Sequence, residues 1–279
     1  MQRLLVVITL VACGDREAPP LVIVAPPVVV PDAAAPEKPV DRGPLSAEPP
    51  VWPDAAGPSS PVAFKRNFKK PGSWLYDYRQ NMTMTASVGP APSVSAVQAK
   101  GTLTVESKRD GNAVASLSAE VTSHEVGEPP DHAGPLTMEL PLDETGTVDT
   151  VDSETAMVAL LLPVPTKPMK IGDTDAVRFR LPITGNLFPM SSVSGPLTFK
   201  LVGYSKIGSR TCARFDTSLA IEEKRGGSHV KMTVAGKVCI DPADGAVVAS
   251  FLAIDMKIAS GGADPMDMSF AGVLGLDRI

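Results

Sequence analysis

From about Ala63 onward the chain alternates apolar and polar residues with a period of two, the pattern of strands that bury one face. Ser73 to Val88 (SWLYDYRQNMTMTASV) is rich in β-branched and aromatic residues and reads as a long strand. Ala99 to Lys108 and Ala113 to Val126 flank Asp110-Gly111-Asn112, a hairpin signal. The apolar positions of these arms, Leu103 and Val105 against Ala113, Ala115, Leu117, Ala119 and Val121, are all odd-numbered. Only a loop of odd length puts both sets on one face, and a three-residue Asp110-Gly111-Asn112 loop fits. Leu136 to Leu140 and Thr147 to Val151, around Asp143-Glu144-Thr145-Gly146, read as a further hairpin.

One short helix interrupts the strands. Asp152 or Ser153 can cap it, Glu154 favours the positive end of its dipole, and Thr155 to Leu162 (TAMVALLL) runs until Pro163 stops it. Met169 to Pro182 and Pro196 to Ser205 follow as strands, with Gly185 to Gly195 as an irregular connection. In the next pair, Ala213, Phe215, Thr217, Leu219 and Ile221 share one face, and Val230, Met232, Val234, Gly236 and Val238 share the other strand's. A turn centred between Arg225 and Gly226 puts Ile221 opposite Val230, Leu219 opposite Met232 and Cys212 opposite Cys239. Directly opposed residues lie within disulfide reach, so the register predicts a Cys212–Cys239 bond. Finally, Leu252, Ile254, Met256 and Ile258 match Met266, Met268, Phe270, Leu274 and Leu276 across Gly261-Gly262-Ala263. The expected fold is all-β: an antiparallel meander of sequentially paired strands forming a curved sheet or half-barrel, partly covered by the helix near 153–162.

The N-terminal residues follow a different pattern. Met1-Gln2-Arg3 is a short positive region and Leu4 to Ala12 (LLVVITLVA) an apolar run too short to span a bilayer. Leu10-Val11-Ala12-Cys13 resembles the lipobox of bacterial lipoproteins, in which a peptidase cuts before the Cys and the new N-terminal Cys carries acyl chains. That resemblance implies residues 1–12 as a lipoprotein signal peptide, Cys13 as the lipidated residue and the membrane as a partner through the lipid. Gly14 rather than Asp after the Cys implies the outer rather than the inner membrane, with the domain periplasmic or surface-exposed in the cell envelope.

Composition sharpens this division. Pro (28) and Gly (23) exceed average usage, and 13 of the prolines fall between Glu17 and Val62. Proline at that density removes backbone donors and fixes φ, so residues 13–62 read as the lipidated Cys followed by a disordered, extended spacer. The 46 residues from Glu17 reach at most on the order of 140 Å at about 3.1 Å each. Residues 63–279 are then one β domain. The formal net charge of −5 argues against a nucleic-acid partner. With Cys13 carrying lipid, Cys212 and Cys239 are an even pair in an oxidising compartment, consistent with a disulfide rather than a redox or metal pair, which lacks C-x-x-C spacing.

Gly72-Ser73-Trp74 with Tyr76, Gln80, Met82 and Met84, then Leu162-Pro163 and Ile171-Gly172-Asp173-Thr174, then Asp241 with Asp244-Gly245, resemble an uncharacterised family of bacterial secreted and lipoprotein β domains. The resemblance implies location and fold, not an activity. An aromatic often stands two residues after the Gly-Asp pair in that family, where this chain has Asp175.

No G-x-S-x-G elbow, H-E-x-x-H, Walker loop or dinucleotide fingerprint is present. No catalytic residue, metal ligand or cofactor is assigned, and the chain reads as no enzyme. His124, His132 and His229 are scattered over strand end, loop and hairpin tip, and Asp131, Asp143, Glu144, Asp149 and Asp152 lack the spacing of a calcium loop. Met82-Thr83-Met84 and Met266-Asp267-Met268 place each Met pair on one sheet face. Such pairs pack cores, hold Cu(I) through soft thioethers, or form a pliable wall for a lipid-like ligand. The expected function is a membrane-anchored envelope lipoprotein whose non-catalytic β domain binds an unknown envelope protein or serves a structural role. The alternative is a carrier of a lipophilic ligand on the concave sheet face.

Overall fold

The computed structural model describes residues 45–68, 71–87, 92–108, 112–126, 128–129, 131–146, 153–183, 192–260 and 266–279. They form one antiparallel sheet of eleven strands: β1 (Asp54–Ala55), β2 (Ser73–Ser87), β3 (Pro92–Ser107), β4 (Ala113–Glu125), β5 (Asp131–Leu142), β6 (Thr174–Pro182), β7 (Ser192–Ile207), β8 (Arg210–Arg225), β9 (Ser228–Ile240), β10 (Val247–Ser260) and β11 (Met266–Arg278). One helix, α1 (Ser153–Ala159), lies between β5 and β6 in sequence. The expected all-β class, open sheet and short helix are therefore present among the described residues.

The connectivity corrects the expected simple meander. Strands β2 to β5 and β7 to β11 each run as meanders, but they are joined by β11 pairing with β2, from Asp267↔Ser87 to Arg278↔Tyr76. β6 pairs with β7 rather than β5, and β1 takes another stretch of the same β7 edge at Asp54↔Ser205 and Ala55↔Tyr204. α1 contacts both β5 and β6, so the sheet curls until the helix sits between its two ends without a closing ladder among the described residues. Inward positions of every long strand, together with Phe64, Phe68, Ala156, Val158 and Leu160 to Leu162, make one contiguous core.

Two registers move by two residues from expectation while keeping their parity. In β3–β4, Leu103 faces Leu117 and the ladder ends at Ser107↔Ala113, with the Lys108 amide donating to the Asn112 carbonyl at 2.7 Å. The hairpin tip is thus one residue earlier than Asp110-Gly111-Asn112. In β8–β9, Arg225 faces Ser228 and Ile221 faces Met232. The turn is Gly226-Gly227, with φ of 58° and 83°. A two-residue turn with both central residues at positive φ matches the twist of the flanking strands, and two glycines supply it without a Cβ penalty. Placing Arg225 at the turn centre would have forced a side-chain-bearing residue into that region.

Other boundaries shift too. β3 begins at Pro92 and β5 extends over Asp131–Leu142, both longer than expected, while β6 begins at Thr174 and Met169 forms only an isolated bridge with Val62. The helix ends at Ala159, where the Leu161 amide bonds to Val158 at 3.0 Å. The Thr147 to Val151 strand, the Asp152 cap and Cys13 lie outside the described residues. The expected spacer is corrected at its C-terminal part: residues 45–62 are seated on the domain as a strap that contributes β1. The Asn81 side-chain amide donates to the Leu45 carbonyl at 3.4 Å, and Val62 exchanges backbone bonds with Met169 at 2.9 Å.

Candidate functional site

The strap turns inward at Phe64-Lys65-Arg66-Asn67-Phe68, whose period of two buries Phe64, Arg66 and Phe68 together. Phe64 meets the edge of Phe215 with ring centroids 5.0 Å apart, and Phe68 meets Trp74 at 5.9 Å. Between them Arg66 spans three elements. Its Nη2 donates to the Leu162 carbonyl after α1 at 2.7 Å and its Nε to the Gly245 carbonyl in the β9–β10 turn at 3.2 Å. Its backbone amide donates to the Glu144 carbonyl beyond β5 at 3.1 Å. Burial pushes the Arg66 guanidinium down from its ordinary value, opposed by Tyr76, Asp244 and Asp143. Burial likewise pushes the Tyr76 hydroxyl up.

Asp244 completes this polar knot. One carboxylate oxygen accepts from Trp74 Nε1 at 3.1 Å and Arg278 Nη1 at 3.0 Å, and the other accepts from the Ala246 amide at 2.9 Å. Burial opposes ionisation of Asp244, but the Ala246 and Trp74 donors and the Arg278 cation outweigh it and hold the carboxyl below its ordinary range. Most of the motifs behind the sequence resemblance meet here: Gly72-Ser73-Trp74, Tyr76, Leu162, Asp241 and Asp244-Gly245. Their chemistry is that of a structural closure, with each charged group committed to backbone or to a partner. Asp175, where an aromatic was expected, is also committed. Although burial pushes it up, hydrogen bonds from the Thr166 amide and hydroxyl and from the Ala176 and Lys167 amides bring it below the ordinary range.

The opposite end of the sheet differs in character. Met82 is buried, while Met84, Val97, Val121, Leu136, Met138, Met268 and Phe270 are half-buried on the same concave face. The register brings the two Met pairs of the sequence onto adjacent strands: Met84 faces Phe270, Met268 faces Ala86 and Met82 faces Gly272. A Cβ at Gly272 would come within 2.2 Å of the Asn81 carbonyl oxygen and 2.6 Å of Met82 Cα, so the glycine allows the close backbone approach of β2. The Met266 side chain lies outside the described residues. This end is the candidate binding surface, an apolar and deformable wall without charged groups among the residues just named.

The remaining candidates do not converge. His124 lies on β4 and His132 on β5, while His229 on β9 has its Nε2 3.1 Å from Glu222 Oε1. Asp143 accepts from the Thr145 amide at 2.8 Å, and Glu144 pairs with Lys65. Asp149 and Asp152 lie outside the described residues. No group of three His, Cys, Asp or Glu able to hold a metal occurs among the described residues. Cys212 and Cys239 are bonded, with Cα atoms 5.4 Å apart. In the observed register Cys239 faces Arg214, so the disulfide joins diagonal rather than opposed residues. Sequence reasoning missed Arg66 and the strap. The visible signal was the alternation Phe64-x-Arg66-x-Phe68 just ahead of the first long strand, with a cation in the middle of a buried face.

No protein-family model matches the chain, and no curated protein matches it. Among solved structures, the crystal structure of a DUF1329 family protein from Desulfovibrio piger is similar at a TM-score of 0.14 and 8% identity, covering 72% of this chain and 85% of that one. At that level the likeness carries no inference about this chain.

Proposed function

We propose that the chain is a lipid-tethered, non-catalytic module of a bacterial cell envelope, whose β domain binds a partner protein or serves a structural role. The observation that carries this reading is the filling of the concave face. Leu103, Ala115, Leu162, Leu201, Phe215, Val230, Met232 and Leu276 are each 0% exposed, leaving no water-sized space beside them. A carrier with a preformed apolar chamber at these positions needs such space. The lipobox-like leader and Cys13 support the tether, and Gly14 favours the outer membrane over the inner. The absence of catalytic motifs from the sequence, together with the structural commitment of Asp143, Asp175 and Asp244, supports a role without chemistry. Cys13→Ser tests the tether: the variant should lose membrane association and remain unprocessed, and unchanged fractionation would remove the anchor from the proposal.

A second reading, a binder of a lipophilic ligand, is favoured by the half-buried Met84, Met268 and Phe270 at the open end of the trough. Native mass spectrometry of protein purified from its own envelope separates the two. A stoichiometric lipid held non-covalently, beyond any acyl chains on Cys13, selects the carrier, and a mass without one selects the partner module.

A further inference from the structure

The disulfide does not belong to the main core. Cys212, Cys239 and Val248 form a second apolar cluster on the outer face of the sheet, and Trp52 of the strap packs against it with Ile207. Both cysteines are 0% exposed. The alternation explains the placement: inward positions of β8 are odd and those of β9 even, so Cys212 and Cys239 point outward together. Immediately after Trp52, the Pro53 carbonyl accepts from the Lys206 amide at 3.0 Å and Asp54 faces Ser205, which in turn faces Cys212. Asp54 also pairs with Arg214 at 2.8 Å, and Arg214 faces Cys239. Trp52 thus covers the disulfide, and Pro53 and Asp54 hold it there through the β7 edge and Arg214.

We propose that this strap is a gate for thiol–disulfide exchange at Cys212–Cys239. Docked, it shields the bond; lifted, it admits a dithiol reductant. The attacking thiolate bonds to one cysteine sulfur and displaces the other as a thiolate, and the reductant's second thiol then displaces the first, leaving two cysteines and an oxidised dithiol. Arg214, freed from Asp54, stands on the same face as a cation favouring the departing thiolate. The hold is light. β1 has only two residues, the Asp54 side chain is 85% exposed and Val51 is 93% exposed. Segments with few buried contacts open locally at far lower cost than the whole fold.

Two variants lift the strap without touching the cluster. A Cβ at Gly57 would stand 1.9 Å from the Tyr204 ring, so Gly57→Ala forces the strap off the β7 edge. Asp54→Asn removes only the exposed pairing with Arg214. Reduction of the full-length chain by dithiothreitol, followed by alkylation and mass, should run about tenfold faster for Gly57→Ala and about two- to threefold faster for Asp54→Asn. In each case the gain should exceed any change in the global unfolding constant from urea titration. Equal rates in all three proteins, or accelerations that only match the loss of global stability, would overturn the gate.

Discussion

The two ends of the sheet use opposite chemistry to deal with the same curved core. At one end Arg66, Trp74, Asp244 and Arg278 join the strap, the α1 exit, the β9–β10 turn and the last strand through directional bonds. At the other, Met84, Met268, Phe270 and their neighbours meet solvent half-buried, with shape and pliability instead of fixed geometry. Removing a member of a buried network orphans its partners in low dielectric, which is costly, whereas methionines tolerate exchange. Mutational sensitivity should therefore be concentrated at the knotted end, and any capacity to adapt at the open one.

The largest effects test the knotted end. Replacing both Cys212 and Cys239 by Ala should lower stability by about 3.5 kcal/mol, as expected for a cross-link with a sequence separation of 27. Arg66→Met keeps much of the volume but strands the Leu162 and Gly245 carbonyls, and should cost about 3 kcal/mol in urea titration. A loss as small as that of an open-end Met variant would break the comparison. Trp74→Phe removes one donor to Asp244 and should cost about 1 kcal/mol. At the open end, Met84→Leu and Met268→Leu should each cost less than about 1 kcal/mol.

Acid should also weaken the fold through known groups. Asp244 and Asp175 have folded pKa values below their unfolded ones, so the unfolded chain takes up protons first as pH falls. Their stabilisation is complete above the ordinary carboxylate range and is lost as pH drops from that range through the folded values. Urea midpoints measured from pH 7 down to pH 3 should decline below about pH 4. Asp175→Asn should flatten part of that decline.

Much of this was legible in the pattern of residues, for identifiable reasons. Side-chain parity survives a register slip of two, so the buried faces of β3, β4, β8 and β9 were readable although the turns at Ser107–Ala113 and Gly226-Gly227 were displaced. The cysteine pairing survived because a diagonal neighbour is also within disulfide reach. What could not be read locally was the β11–β2 join, since nothing in either strand names a partner nearly two hundred residues away. Proline richness concealed the strap: Pro49, Pro50 and Pro53 suit an extended spacer, and equally an extended segment lying on a sheet edge. Arg66 was hidden because a cation inside a buried alternation looks like a solvent-facing position until Leu162 and Gly245 are in place.

The join between β11 and β2 has a further consequence, in time rather than space. A chain delivered N-terminus first releases β2 well before its permanent neighbour β11, so β2 to β5 wait as a half-sheet whose long β2 edge is bare. For as long as synthesis lasts, that edge must be kept from the wrong strand.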